Sequence, residues 1–152
     1  MRLLFILIAS FAFAETYTFS PPSGWEKADQ PPQGIEVGYL GKGASLFRPS
    51  VTLATEEVDL SLKEYTKVVK LIHQEDPNIQ LRDLGKFAMA GGEGRLLEIS
   101  TSGPCGEVKM LQGLLVKNSK AYILTAAVLK KDFAEYQSEL LKAIRSLSID
   151  PK

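Results

Sequence analysis

Residues 79–129 read IQLRDLGKFAMAGGEGRLLEISTSGPCGEVKMLQGLLVKNSKAYILTAAVL. Four strand-like runs, 79–89, 94–102, 107–117 and 121–129, follow one another here. Between them lie Ala90-Gly91-Gly92-Glu93, Gly103-Pro104 and Asn118-Ser119. Glycine tolerates the positive φ that a tight hairpin turn needs. Links this short cannot carry the crossover of a dozen or so residues that parallel strands require, so the runs predict an antiparallel meander. Tyr122-Ile123-Leu124-Thr125-Ala126-Ala127-Val128 is apolar at both alternating sets of positions, which predicts a central strand covered on both faces.

Helical signals flank the meander on either side. Ser61-Leu62-Lys63-Glu64 forms a capping box, in which hydroxyl and carboxylate satisfy reciprocal backbone N–H groups. Leu62, Tyr65, Val69 and Ile72 then recur at helical spacing, and the helix ends before Pro77. Asp132-Phe133-Ala134-Glu135 reads as a second capping box, opening a helix whose apolar stripe is Phe133, Tyr136, Leu140, Ile144 and Leu147. Each helix has one apolar stripe, so each must lie against something larger, and the sheet is that element. Upstream, 35–40 and 51–57 read as two further strands, joined through Gly41-Lys42-Gly43 and a loop ending at Arg48-Pro49-Ser50. Tyr17, Phe19 and Trp25 around Pro21-Pro22-Ser23-Gly24 read as a short strand, a bend and another short strand, because a proline pair cannot sit in a central strand. The predicted class is α+β: one domain over 15–152, a twisted antiparallel sheet flanked by helices in an α/β/α sandwich.

The chain has 152 residues, with 18 basic and 18 acidic side chains, one His and one Cys. That length buries a core without disulfide or metal staples. Zero net charge argues against nucleic acid, whose phosphates demand a basic surplus. One His and one Cys cannot build a zinc finger or an internal disulfide. Residues 1–14, MRLLFILIASFAFA, carry Arg2, an apolar run and the small-x-small Ala12-Phe13-Ala14. That is the pattern of a secretory signal, with cleavage expected between Ala14 and Glu15. An apolar run of roughly 12 residues is short of the ~20 that span a bilayer, and a retained anchor is the alternative. Cleavage leaves 17 basic and 18 acidic groups, a formal charge of −1, and no stable membrane span. The expected location is periplasmic or secreted.

Candidate chemistry is sparse. Cys105 lies in a Gly- and Pro-rich turn, where it reads as a loop thiol, a bridge to another chain or a nucleophile. A nucleophilic Cys needs a nearby base, and His73 sits on the first helix with nothing in the sequence joining the two. Glu56, Glu57 and Asp59 could act as acid and base or bind Ca²⁺, but they precede a helix N-terminus, where acidic groups are stabilising by themselves. Gly41-x-Gly43 and Gly91-Gly92-x-Gly94 match no phosphate-loop pattern. No catalytic residue, metal ligand or cofactor is assigned. Trp25, Tyr39, Phe47 and Arg48 are the binding candidates, since the three aromatics fall in or beside loops where a groove for a partner or apolar ligand could form.

Pro21-Pro22-Ser23-Gly24-Trp25, short strands, a capped helix, a four-strand meander and a C-terminal helix together resemble the PsbP-like fold. That fold is shared by an extrinsic photosystem II subunit, a nuclear factor that binds the GTPase Ran, and many exported bacterial proteins. The resemblance spans the mature chain and implies an accessory role through protein surfaces rather than catalysis. The expectation is an exported, non-enzymatic monomer that binds an envelope or secreted protein. The alternative is a carrier of a small ligand or lipid, with its pocket between sheet and helix.

Overall fold

The computed structural model describes residues 16–42 and 47–150; the segment read as a signal, with Ala14 and Glu15, lies outside the described residues. Four strands build the predicted meander: β5 (Gln80–Met89), β6 (Gly92–Gly103), β7 (Gly106–Lys117) and β8 (Lys120–Leu129). The β7–β8 turn holds Asn118 at φ 51° and Ser119 at φ 60°. Two consecutive positive φ values are what a two-residue turn needs to match strand twist.

β2 (Glu26–Lys27), β3 (Val37–Leu40) and β4 (Ser50–Glu57) extend the sheet, and its order is β2-β3-β4-β8-β7-β6-β5, antiparallel throughout. β8 is therefore central, as the sequence predicts. β1 (Thr16–Thr18) pairs with β9 (Ser148–Asp150), a short strand that the sequence reading did not separate from the end of the last helix.

α1 (Leu62–Gln74) carries the chain from β4 to the far edge strand β5 and packs on one face of the sheet. Its capping box is present: Ser61 Oγ accepts from the Glu64 N–H, and the Glu64 carboxylate accepts from the Ser61 N–H. These bonds hold the Glu64 carboxyl below its ordinary pKa. α2 (Phe133–Arg145) follows a short 3₁₀ turn (Lys130–Asp132) and packs on the opposite face. The second capping box is corrected: the Asp132 side chain makes no capping hydrogen bond, because Asp132 closes the 3₁₀ turn in helical rather than extended geometry. At its other end α2 is held by the β5–β6 turn, where the N–H groups of Ala90 and Gly91 donate to the carbonyls of Arg145 and Leu147.

The α2 face holds the main core. Tyr122, Leu124, Ala126 and Val128 of β8 are fully buried beneath Leu140, Ile144 and Leu147. Each such side chain contributes about 1.5–3 kcal/mol by leaving water. The α1 face holds a smaller cluster of Tyr65, Val69, Leu97, Leu114 and Ala121. Thirteen helical residues reach only roughly 20 Å, and Ile123, Thr125 and Ala127 of β8 stay half-exposed. Cover on both faces of that strand is thus complete on the α2 side and partial on the other.

Candidate functional site

The four binding candidates separate into two places. Trp25 packs against Gly41 and Pro49, with its ring edge-on to Tyr136 of α2 at 6.1 Å. Arg48 joins it at Gly41: its Nε donates to the Gly41 carbonyl at 2.9 Å, and Nη2 lies 3.6 Å from Glu26. Trp25 and Arg48 thereby meet at Gly41, just past the end of β3. Tyr39 instead meets Phe19 edge-on at 5.5 Å and lines a shallow groove of about 290 Å³ with Tyr17, Lys27, Glu36 and Val37. Phe47 is half-buried and, like Trp25, is not among the lining residues of that groove.

His73 projects from α1 onto the sheet, and its Nε2 lies 3.1 Å from the Gln112 side-chain oxygen; Gln112 in turn donates to Thr125 Oγ1 at 3.1 Å. Gln112 and Thr125 are register partners on β7 and β8. The single imidazole thus engages a polar pair under the helix. Cys105 is a half-buried thiol in the β6–β7 turn, beside Glu107, Lys130 and Lys131. Among the described residues no group of three or more His, Cys, Asp or Glu side chains is arranged to hold a metal. Of the acidic trio before α1, Glu56 accepts a hydrogen bond from the Tyr65 hydroxyl at 2.8 Å. Burial, reinforced by that bond, pushes the Tyr65 pKa well above its ordinary value.

The most concentrated charge lies where sequence reading placed none. A cleft of about 600 Å³ opens between α1 and the β5–β6 hairpin. At its floor Asp83 takes a two-point contact from Arg95, Nε to Oδ1 at 3.0 Å and Nη2 to Oδ2 at 3.1 Å, while Lys70 of α1 reaches Oδ2 at 3.2 Å. The Arg95 hydrogen bonds are the main reason the Asp83 carboxyl drops to a pKa of about 2, against the pull of burial; the Gly85 N–H and Lys70 add to it. In the other direction, Asp83 raises the Arg95 pKa.

A β-bulge makes this contact possible. Gly85 pairs with Leu96 and Asp83 with Leu97, so Leu84 is an extra residue in β5 and Gly85 takes φ +90°. An unbroken ladder would set Asp83 opposite Glu98, with its side chain toward α2. One inserted residue turns it to the α1 side. Asp83 Oδ1 also accepts from the Gly85 N–H at 2.9 Å, fastening the bulge. The available signal was Gly85 itself, since an isolated glycine in a strand pattern marks a bulge.

α1 has a second feature. Val68, Leu71 and Ile72 are exposed by 40, 63 and 59%. Ile72 belongs to the stripe that the sequence predicted to be buried. At 100° per residue it lies with Val68 on the helix flank turned away from Asp83, beyond the reach of the α1-side cluster.

Seven antiparallel strands with one helix on each face, entered through a Pro-rich bend and Trp25, define the PsbP-like fold. The sequence matches no family model and no curated protein. Among solved structures it is similar to LpqN of Mycobacterium tuberculosis, a protein involved in cell envelope biogenesis. That likeness has a TM-score of 0.68 at 15% identity and covers 94% of this chain and 88% of LpqN. It is also similar to the cyanobacterial PsbP of Synechocystis sp. PCC 6803, at TM-score 0.65 and 15% identity over 88% of this chain and 86% of that one. A third similar structure is PA94 of Pseudomonas aeruginosa, of unknown function, at TM-score 0.61 and 14% identity over 82% and 88%. Among the described residues no helix is long and apolar enough to cross a membrane.

Proposed function

We propose that this chain is an exported, non-catalytic accessory domain that docks onto a protein partner in the periplasm or envelope. The observation that carries the reading is the exposed apolar flank of α1, Val68, Leu71 and Ile72. Three large apolar side chains exposed within two turns of one helix form the kind of patch that marks an interaction site. The export-type segment at 1–14 and the envelope role of LpqN support the location.

A photo-crosslinking residue at position 72, used in the native host, tests this. One discrete adduct of constant size is expected, and it should be lost when Leu71→Gln and Val68→Gln are added. Failure to form any specific adduct, or an adduct indifferent to those changes, would sink the docking role. Fractionation of the host gives the location directly: recovery of the chain in the cytoplasm overturns export.

A further inference from the structure

The α1/β5–β6 cleft lies on the flank of α1 away from Val68 and Ile72, with Leu71 beside Lys67 and Lys70 at its outer side, and its composition points to a ligand. Its lining includes Lys63, Lys67, Lys70, Lys86 and Arg95, against the carboxylates of Asp83 and Glu93. That is a formal surplus of three positive charges, in a chain whose basic and acidic groups balance overall. Arg95 and Lys70 are committed to Asp83, and Lys86 reaches Glu93 at 3.7 Å. Lys63 and Lys67 form no ion pair among the described residues. The first turn of α1 also borders the cleft at Ser61, Leu62 and Lys63. The capping box satisfies the N–H of Glu64, while those of Leu62 and Lys63 have no partner within the helix.

We propose that this cleft binds a phosphate-bearing ligand, with Lys63 and Lys67 contacting the phosphate and the bulge-held Asp83–Arg95–Lys70 cluster forming the rigid floor. Charge selects the chemistry. A phosphate monoester or a pyrophosphate group carries two or more negative charges and can meet the Lys63 and Lys67 ammonium groups together. A single carboxylate leaves most of the surplus unmatched. Lysine binds phosphate as a mobile point charge, which suits two side chains on successive turns of one helix. The cleft volume accommodates more than phosphate alone, and Leu62 and Gly94 give it an uncharged wall for an organic portion. The bulge has a purpose in this arrangement. By turning Asp83 toward α1 it orders Arg95 and Lys70 at the floor and leaves Lys63 and Lys67 outside its ion pairs, with Glu64 of the capping box the acidic group that Lys67 senses.

The source of the phosphate is either a soluble ester or a lipid headgroup, and two probes separate them. The chain is titrated with sodium pyrophosphate by calorimetry, then assayed by flotation with phosphatidylcholine vesicles containing phosphatidic acid, a phosphate monoester, against vesicles of phosphatidylcholine alone. Binding to pyrophosphate supports a soluble ligand, and selective flotation with phosphatidic acid supports a headgroup. The Lys63→Glu/Lys67→Glu variant alters exposed side chains that join no other element, so it should fold with an unchanged circular dichroism spectrum. It should bind either probe about tenfold more weakly or worse, the factor that one lost charge-assisted contact produces. Lys142→Glu, on α2 across the sheet, should bind like the parent. No binding to either probe, binding that the Lys63/Lys67 variant retains at the parent's strength, or binding that both variants weaken alike overturns the site.

Discussion

The two faces of the sheet are built from the same strands yet serve different ends. On the α2 side, the strands contribute Leu53, Leu111, Tyr122, Leu124, Ala126 and Val128, all buried, and Leu140 and Ile144 of the helix, with Leu147 just past its end, answer them. On the α1 side the helix meets the sheet largely through polar pairs: Tyr65 with Glu56, His73 with Gln112, and Lys70 with Asp83. It leaves Leu71 and Ile72 in water. Two helices of 13 residues, both amphipathic, thus close one face and only partly cover the other. Hydrophobic burial is proportional to area and indifferent to direction, whereas polar pairs fix position at little net gain. Stability should therefore reside on the α2 face, and recognition on the α1 face.

The sharpest way to break that division is to damage the α2 face. Leu124→Ala, at a fully buried position of the central strand, should cost about 3–4 kcal/mol in urea denaturation. A cost under about 1 kcal/mol would mean that α2 is loosely docked. Gly113 tests the same contact from the opposite direction. A Cβ there would collide with Cγ2 of Ile144, so no side chain fits beneath α2. Gly113→Ala should cost about 1–3 kcal/mol through overpacking. Ile144→Val in the same chain should recover part of it, a coupling that a double-mutant cycle measures.

On the α1 face the largest stability effect belongs to Asp83. Its carboxyl titrates near 2 in the folded chain and at 3.8 without its partners. A depressed folded pKa adds stability that is complete above the unfolded value and lost as pH falls through the folded one. Asp83 should contribute up to about 2 kcal/mol above pH ~4, vanishing toward pH ~2. Asp83→Asn should lose that amount at pH 7 and show a flatter acid-denaturation profile between those limits. Parallel profiles for the two proteins would show that Arg95 and Lys70 do not act through this carboxylate.

The α2 face was almost wholly legible in the sequence. The doubly apolar run 122–128, the turn residues, and the stripe from Phe133 to Ile144 specify a central strand, its antiparallel neighbours and a buried helix face, since burial imprints a pattern on apolar residues. Two readings failed there: the Asp132 box, because a 3₁₀ turn intervenes and changes the geometry of Asp132, and the helix end, because α2 stops at Arg145 and Leu147 leads into β9. The α1 face was legible only in outline. Its helix start at Ser61 was specified by capping chemistry, which is local. The cleft is not local: Asp83 reaches Arg95 only because the bulge at Leu84–Gly85 shifts the register, and periodicity does not display one extra residue. Tyr39 and Trp25 were grouped as aromatics near loops, yet the Trp25 ring turns to α2 and Tyr39 to Phe19. Ring orientation follows from tertiary packing, which composition does not carry.

The smallest expected effect is the most discriminating. Ile72 falls on the same apolar period as Leu62, Tyr65 and Val69, so a sequence reading puts it in the core, but 59% of it is exposed. Exposed surface substitutions usually change stability by less than about 0.5 kcal/mol, and glutamine is at least as good a helix former as isoleucine. Ile72→Gln should therefore leave the urea midpoint almost unmoved, and so should Leu71→Gln. A buried Ile72 would instead make its replacement cost several-fold more, as Ile144→Gln must on the buried side of α2. If both α1 changes are silent in stability and yet abolish crosslinking to a partner from a photo-reactive residue moved to position 68, the apolar period on this helix was kept for contact outside the chain. That outcome assigns the two faces separate physical roles; an equal loss of stability at positions 72 and 144 would erase the distinction.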